Sequence, residues 1–298
     1  MVLLTNHIRA MIDNAVAMYC FLDDYLKLIK HKEDKQCKMN DAEIMMTALI
    51  ASFYFGGNHE HALTYVREQG LCKCVLSKSR FNRRLHTIEE LAYSIFQCVG
   101  ETVKEFNTRM EYVMDSFPVK VCHNIRINTN RLLPLNKEYR GKCVSKREYY
   151  YGFRVQMIAT IDGIPVEFAI VPGRWGDTSG MKALDLHLPP GSRTICDSAY
   201  TFYEYEDLLQ QCEGIWHDSM RRGNSIRKEP AYRTYYKQAA RKIIENVFSG
   251  LTALMPKRIH ATTIKGFLLK NKLFIYSYTF NNLCKNNVEL ELIRRYFH

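Results

Sequence analysis

Three acidic side chains, far apart in the sequence, could together form a site for phosphodiester chemistry. Asp115 lies inside the apolar run MEYVMDSFPVKVC, and Asp197 directly follows the short apolar run RTIC. Glu245 lies in a long helical pattern, beside its apolar stripe. Each acid also has an ordinary explanation: a turn for the first, a helix N-cap for the second, and an ion pair with Arg241, one turn earlier, for the third.

Brought together, the three carboxylates would suit divalent cations. Converging acids resist ionising together, and a divalent cation removes that penalty. Hard oxygen ligands suit Mg²⁺ or Mn²⁺, and two such ions roughly 3.5–4 Å apart can activate a hydroxyl and stabilise the leaving oxygen at a phosphodiester. We therefore expect two Mg²⁺ (or Mn²⁺) ions, with Asp115, Asp197 and Glu245 as both metal ligands and catalytic residues.

The elements predicted around these acids form an α/β domain. Asp162-Gly163 joins two strand-like runs and favours a type I′ hairpin turn. The whole order is strand, hairpin, strand, helix, strand, helix, which is the order of a ribonuclease-H-like domain. In that layout the strand with Asp115 and the strand before Asp197 lie side by side. The segments that predict this order are MEYVMDSFPVKVC, YYYGFRVQMIAT, IPVEFAIVPG, RTIC, TFYEYEDLLQQC, GIWHDSM and YYKQAARKIIENVFSGLTALM.

The first third of the chain is typical of helices. We therefore predict an all-helical domain at 1–108 and a ribonuclease-H-like domain at 109–298, a mixed sheet flanked by helices with a basic segment at 220–242. The segment from Leu76 to Phe106 predicts one helix with a serine cap and a basic start. A short helix before it favours a helix-turn-helix reader of DNA, and a solvated basic face explains the charges equally well. The candidate contacts are Arg80, Arg83 and Arg84.

The composition bounds the partner and the compartment. A net charge of +11 suggests a polyanionic partner, most often nucleic acid, although a merely soluble basic protein would have the same charge. A hydrophobic fraction of 47% argues against wholesale disorder. The ten cysteines include no C-x-x-C pair, which argues against a zinc module and favours a reducing compartment. We expect a soluble cytoplasmic protein with no membrane partner, because no signal pattern or membrane-length apolar run is present.

Several segments resemble the IS982 family of bacterial insertion-sequence transposases. They are DSFPVKVC, YRGKCVSKREYYYGFRV, DGIPVEFAIVPG, CDSAY and RKIIENVFSGLTALMPKRIHATTIKGF, within a resemblance from roughly Met110 to Phe280. The resemblance implies a DDE transposase that cleaves the element ends and transfers the freed 3′-hydroxyls to target DNA, with Asp115, Asp197 and Glu245 as its acids. It implies terminal inverted repeats and target DNA as partners, a homodimer on DNA, and a bacterial protein at the nucleoid.

Further residues enter through the resemblance or through charge. Arg241 matches a basic residue one turn before the glutamate, and Tyr200 matches a tyrosine three residues after the second acid, so both are candidate DNA contacts. Asp177 falls where relatives carry another acid, and a loop-capping aspartate is the simpler interpretation. Ser198 stands where relatives often have Lys or Arg. The other candidate DNA contacts, about half of which a solvated surface charge would explain, are Arg140, Lys142, Lys146, Arg147, Arg221, Arg222, Arg227, Lys228, Lys257 and Arg258.

Two other functions remain compatible with the same residues. A ribonuclease-H-like nuclease without strand transfer would use the same three acids, and fold alone does not separate the two activities. A catalytically dead relic would bind DNA and cleave nothing.

Overall fold

The computed structural model describes residues 2–143 and 147–285, which divide into two compact units. One unit contains the residues up to Phe96, the segment Leu251–His260 and the residues from Lys265 onward. The other contains Gln97–Gly250 and Ala261–Ile264. All three candidate acids lie in the second unit. Within the described residues, no helix is both long enough and apolar enough to cross a membrane.

The first unit is helical. Helix α2 begins at a capping box, in which Asn40 accepts the N–H of Glu43 and the Glu43 carboxylate accepts the N–H of Asn40. The last described helix, α9, packs with the N-terminal helices, since Phe280 contacts the ring of Phe21. The helices with residues in this unit are α1 (Val2–Leu28), α2 (Asp41–Tyr54), α3 (His59–Glu68), α4 (Lys78–Thr87), α5 (Glu89–Phe106), the last turn of α8 (Ala231–Leu254) and α9 (Ile264–Lys285).

One long helix was expected where the structure has α4 and α5, so that prediction was wrong. Helix α4 follows the N-cap residue Ser77, and the chain leaves helical geometry at Ile88 before α5 begins. No glycine or proline marks this break in the sequence. Ile88 is buried, as are Phe81 and Leu85 on α4, so apolar packing continues through the break.

The second unit contains a mixed sheet flanked by helices. Its strand order is β2-β3-β1-β5-β6, and β4 also pairs with β3. Strand β1 is antiparallel to β3 and parallel to β5, and β5 is parallel to β6. This order and these directions are compatible with a ribonuclease-H-like fold. The strands are β1 (Glu111–His123), β2 (Arg140–Cys143), β3 (Glu148–Thr160), β4 (Pro165–Pro172), β5 (Arg193–Cys196) and β6 (Trp216–Ser219).

The β3–β4 hairpin is present, but its turn is not type I′. The N–H of Gly163 donates to the carbonyl of Thr160 at 2.9 Å, and the N–H of Thr160 donates to Ile164. Gly163 has a φ of +82°, whereas Asp162 does not adopt a positive φ. A type I′ turn needs positive φ at both central residues, so this is a three-residue loop that ends in a left-handed glycine.

Helix α8 (Ala231–Leu254) covers the face of the sheet that carries the site, and α6 (Asp177–Met181) and α7 (Tyr203–Glu213) complete the unit. The ring of Phe248 lies 4.8 Å from the ring of Phe117 on β1. Ile244 and Val247 are buried on the same side of the helix. The apolar stripe of α8 therefore anchors it against the strand that carries Asp115, and Glu245 lies next to that anchor.

Candidate active site

Asp115 and Asp197 occupy matching positions on two neighbouring parallel strands. The register of β1 and β5 runs from Glu111 with Arg193 to Met114 with Cys196, so the next residue on each chain is an aspartate. This confirms the predicted neighbourhood of the two strands. Side chains alternate along a strand, so matching positions on paired strands project from the same face of the sheet. The two acids are therefore neighbours although 82 positions separate them.

Local hydrogen bonds fix both aspartates. The Asp115 carboxylate accepts the N–H of Ser116 at 2.7 Å. Asp197 accepts the N–H of Ser198 at 2.6 Å and caps the short 3-10 helix Ser198–Tyr200. The capping role considered for Asp197 is thus confirmed. Only Oδ1 accepts this N–H, so Oδ2 does not take part in the cap. Each acid is held at the point where its strand meets the following segment.

One guanidinium brings the three acids together. Arg241 on α8 approaches Asp115 at 3.9 Å, Asp197 at 3.5 Å and Glu245 at 3.8 Å. The three carboxylates come from β1, from the end of β5 and from α8. Their proximity therefore depends both on the pairing of the strands and on the packing of the helix. Arg241 is only partly exposed, whereas the Glu245 side chain is 60% exposed and can move toward a ligand.

The negative charge of the site exceeds what Arg241 offsets. Burial raises the pKa of Asp115 to about 6, against the N–H of Ser116 and the charge of Arg241, and the charges of Asp177 and Asp197 raise it further. The contacts of Arg241 with the acids are longer than hydrogen bonds, and its buried Nε has no hydrogen-bond partner. A buried carboxyl whose ionised form is disfavoured, but which still carries its charge at neutral pH, is typical of a site that a further cation completes.

The donor set fits divalent metal ions. Three carboxylates that approach one guanidinium supply hard oxygen ligands, and Mg²⁺ needs few protein ligands because it keeps waters and substrate phosphates. Among the described residues, only His31, Glu33 and Asp41 place three such ligand atoms within 4.8 Å of one another. The three acids of the second unit are therefore spaced more widely, with the Arg241 guanidinium between them.

Asp177 lies beside the three acids but does not cap a loop, so that interpretation was wrong. Its carboxylate accepts the Ser116 hydroxyl at 2.8 Å and pairs with Arg154 on β3 at 2.7 Å. Helix α6 instead has Gly176 as its N-cap residue, with no side-chain cap. Sequence analysis missed both Ser116 and Arg154. Ser116 directly follows Asp115, and Arg154 lies on β3, the strand that pairs with β1; these positions were the signal that could have identified them.

Tyr200 cannot contact DNA as it stands, which corrects the prediction. It is fully buried, and its hydroxyl donates to Gln156 Oε1 on β3 at 2.7 Å. Burial also raises the pKa of Tyr200 well above its ordinary value. The tyrosine therefore fixes the segment after Asp197 against the sheet.

Two candidate DNA-binding arginines are committed to ion pairs inside the protein. Arg221 pairs with the buried Glu206 through two bonds of 2.8 and 2.6 Å, which corrects the expectation that it contacts DNA. Arg84 pairs with the buried Asp41 at 2.5 Å, and Asp41 also bonds to His31 at 2.8 Å. This network explains the three-ligand cluster in the first unit, and it directs Arg84 inward rather than toward DNA.

The remaining basic candidates are on the surface. Their side chains are accessible to DNA, as those of any solvated surface charge would be. Arg227 is partly engaged with Asp207 at 2.7 Å, and Arg222 donates to the Ser198 hydroxyl at 3.3 Å. Lys146 lies outside the described residues. The exposed candidates are Arg80, Arg83, Arg140, Lys142, Arg147, Arg222, Arg227, Lys228, Lys257 and Arg258.

Comparison with known families decides the broad class. Residues 106–262, just over half of the chain, match the family model described as the transposase DDE domain. The chain belongs to the DDE transposase family. The DDE domain includes all of β1 to β6 and nearly all of the second unit, and it contains the three acids that meet at Arg241. No curated protein and no solved structure matches the chain.

Family membership implies a metal ion and a DNA partner. DDE transposases generally use divalent metal ions, and a transposase domain implies DNA as a partner. The match covers the sheet and α8 but not α1 to α4, α9 or, apart from Phe106, α5, so it concerns the second unit. The acids of this chain thus lie within the part that the family defines.

Proposed function

We propose that this DDE domain belongs to an insertion-sequence transposase of the IS982 type. It would cleave the ends of its element and transfer the 3′-hydroxyls to target DNA. The observation that supports this most is the approach of Asp115, Asp197 and Glu245 to one guanidinium at 3.5–3.9 Å. Two divalent ions, Mg²⁺ or Mn²⁺, would supply the activation of the attacking hydroxyl and the stabilisation of the leaving oxygen.

The residues of the chain have distinct tasks in this proposal. Asp115 and Asp197 hold fixed positions through their backbone hydrogen bonds, and they set the place of the scissile phosphate. Glu245 is more exposed, and it closes the site from α8. Arg241 keeps the three carboxylates near one another and offers a positive charge to the DNA backbone, because its contacts with the acids are loose.

The helical region 1–108 would bind the terminal inverted repeats in this proposal. Arg80 and Arg83 are exposed on α4, a short helix that packs with α2 and α3. Cations on one exposed helix suit phosphate contacts, which provide affinity without sequence preference. Because a transposase must join two ends, we also propose a homodimer on DNA.

The test uses a pre-cut end duplex, a supercoiled plasmid and Mn²⁺. Joined products support a transposase, whereas nicks alone support a hydrolytic nuclease and end binding without any product supports a dead relic. Asp197→Asn and Glu245→Gln should each lower product formation by at least about a hundredfold, because each removes a charged ligand. Glu204→Gln, which changes an exposed acid on α7, is the matched control and should leave it intact.

Short inverted repeats around the reading frame provide an independent test. Repeats that are bounded by a small target duplication would support insertion by this protein. A purified chain that joins a repeat-containing end faster than a scrambled end would link the helical region to recognition. Equal rates for both ends would contradict that role for region 1–108.

A further inference from the structure

A groove opens on the second unit where the edge strand β6 meets the first turns of α8. It consists of a cavity of about 610 Å³ and a cavity of about 210 Å³ that share Asp218 and Arg233 in their linings. The combined volume is in the range of small-molecule sites. We call this feature the edge groove, and the residues that define it are Arg193, Trp216, Asp218, Tyr232, Arg233 and Tyr236.

Aromatic rings line the edge groove in an unusually exposed state. Tyr232 is 73% exposed, Trp216 is 49% exposed and Tyr236 is 40% exposed. Rings of this size normally gain stability by burial, so a concentration of exposed rings indicates a surface that a ligand covers. Exposed aromatic rings between cations are the platforms on which unpaired nucleic-acid bases stack, at any sequence.

The charges of the groove favour an anion. Among the described residues that line its two cavities, six are cationic and four are anionic. The Asp218 carboxylate is shared by Arg193 at 3.3 Å, Arg233 at 3.1 Å and the buried Lys237 at 2.7 Å. Lys237 also pairs with Glu229, so three cations face two carboxylates here. The two arginines are partly exposed, so they can donate to a phosphate without leaving Asp218.

The groove also lies at a useful distance from the acids. Arg193 is the first residue of β5, and Asp197 follows the last one. Four residues of strand span about 13 Å, so the start of β5 lies within a few nucleotides' length of the acids. Side chains four positions apart on a strand project from the same face of the sheet, so the groove lies on the face that carries the acids.

We propose that the edge groove binds an unpaired stretch of a DNA strand, a few nucleotides from the phosphate at the acids. Its bases stack on Tyr232 and Trp216, and its phosphates lie at the two arginines. Paired bases cannot offer their faces to these rings, so the groove discriminates single strands from duplex. This inference rests on the proposed function, since it adds the state of the DNA that the same domain handles.

The experiment follows the fluorescence of Trp216. The chain has two tryptophans, so Trp175→Phe leaves Trp216 as the only one. A twelve-nucleotide oligothymidylate, added without divalent metal, should quench this emission, and a duplex of equal length should not. Tyr232→Ala should weaken oligothymidylate binding about five- to fiftyfold, as expected for one stacked base, and Tyr232→Phe should restore it. Anisotropy of a labelled oligothymidylate gives the same constants with both tryptophans present.

Tyr235 provides the matched control. It lies on the same helix and is 76% exposed, but it does not line the groove. Tyr235→Ala should therefore leave oligothymidylate binding unchanged. Equal losses for Tyr235→Ala and Tyr232→Ala, or equal quenching by duplex and single strand, would overturn the inference.

The failure of this inference and that of the proposed function are distinguishable. Binding is measured without metal, whereas end joining requires it. A chain that joins ends while Tyr232→Ala binds oligothymidylate normally would refute the groove alone. A chain that binds single strands as expected but never joins ends would refute transposition alone.

Discussion

Removal of the Asp115 charge should stabilise the metal-free protein at neutral and alkaline pH. The pKa of this carboxyl is raised from 3.8 to about 6, mainly because burial disfavours the ionised form. An acid with a raised pKa in the folded state costs no stability below its ordinary pKa. The cost grows as pH rises and is complete above about pH 6. A shift of about two units corresponds to about 3 kcal/mol, which is an upper bound because the side chain is 21% exposed.

The measurement compares thermal unfolding of the wild type and Asp115→Asn in the presence of a chelator. We expect the Asn variant to gain about 1.5 kcal/mol at about pH 8, which is a rise in Tm of about 3–6 °C for a unit of this size. The two proteins should converge near pH 4, where the wild-type carboxyl is protonated. Asp162→Asn removes an equal charge from the exposed hairpin loop, and its Tm should stay within about 1 °C of the wild type.

Two results would refute this reasoning. One is an Asp115→Asn variant that is no more stable than the wild type at about pH 8. The other is a difference in Tm that stays constant down to about pH 4, because a packing effect of the amide would not follow the titration of an acid. Millimolar Mg²⁺ supplies a further check, since it should raise the Tm of the wild type more than that of the variant.

Three further changes test the interior contacts. Arg221→Ala should lower the unfolding free energy by about 3 kcal/mol, because it leaves the buried Glu206 largely uncompensated, and chemical denaturation measures this loss. Tyr200→Phe should cost about 1–3 kcal/mol in the same assay, because Gln156 Oε1 loses its donor, and duplex DNA affinity should not change. Gly163→Ala should lower the Tm, with a loss of about 1 kcal/mol, because its φ of +82° suits glycine; an unchanged Tm would contradict the turn assignment.

The sheet could be predicted because its strands carry their own signals. The β-branched and aromatic runs predicted β1, β3, β4, β5 and β6 without any contact information. The pairing of β1 with β5 followed from the order of elements, and with it the proximity of Asp115 and Asp197. The short strand β2 has only four residues, Arg140–Cys143, in a segment rich in polar residues, and it was not predicted. Its existence depends on pairing with β3.

The type of the hairpin turn and the break between α4 and α5 could not be predicted from the sequence, for a different reason. An Asp-Gly pair suits both a type I′ turn and a type I turn that ends in a left-handed glycine, so the pair gave the position of the hairpin but not its geometry. The break at Ile88 has no local signal, because its neighbours are all compatible with a helix. Packing of the flanking apolar residues decides it, and packing is a property of the whole unit.

The fate of individual polar residues depended on partners far away in the sequence. Tyr200 is buried because Gln156, 44 positions earlier, accepts its hydroxyl. Arg221 turns inward because Glu206 is buried 15 positions before it. A basic or aromatic residue near a candidate catalytic acid therefore has two possible roles, and only the position of an acceptor separates them. Exposure, rather than residue type, identified Tyr232 and Trp216 as the rings available to a ligand.

Arg241 shows why the acids alone do not define the site. An ion pair with Arg241, one turn away, was the ordinary alternative explanation of Glu245, and the two side chains do approach each other at 3.8 Å. The same side chain also approaches two aspartates on other elements, which helical spacing cannot predict. Its contacts are too long for strong hydrogen bonds, so the guanidinium offsets part of the negative charge without saturating the oxygen ligands. A tightly paired arginine would leave the carboxylates satisfied and would compete with any metal ion. The loose arrangement keeps three acids together and still available, which is the condition that the proposed two-metal chemistry requires.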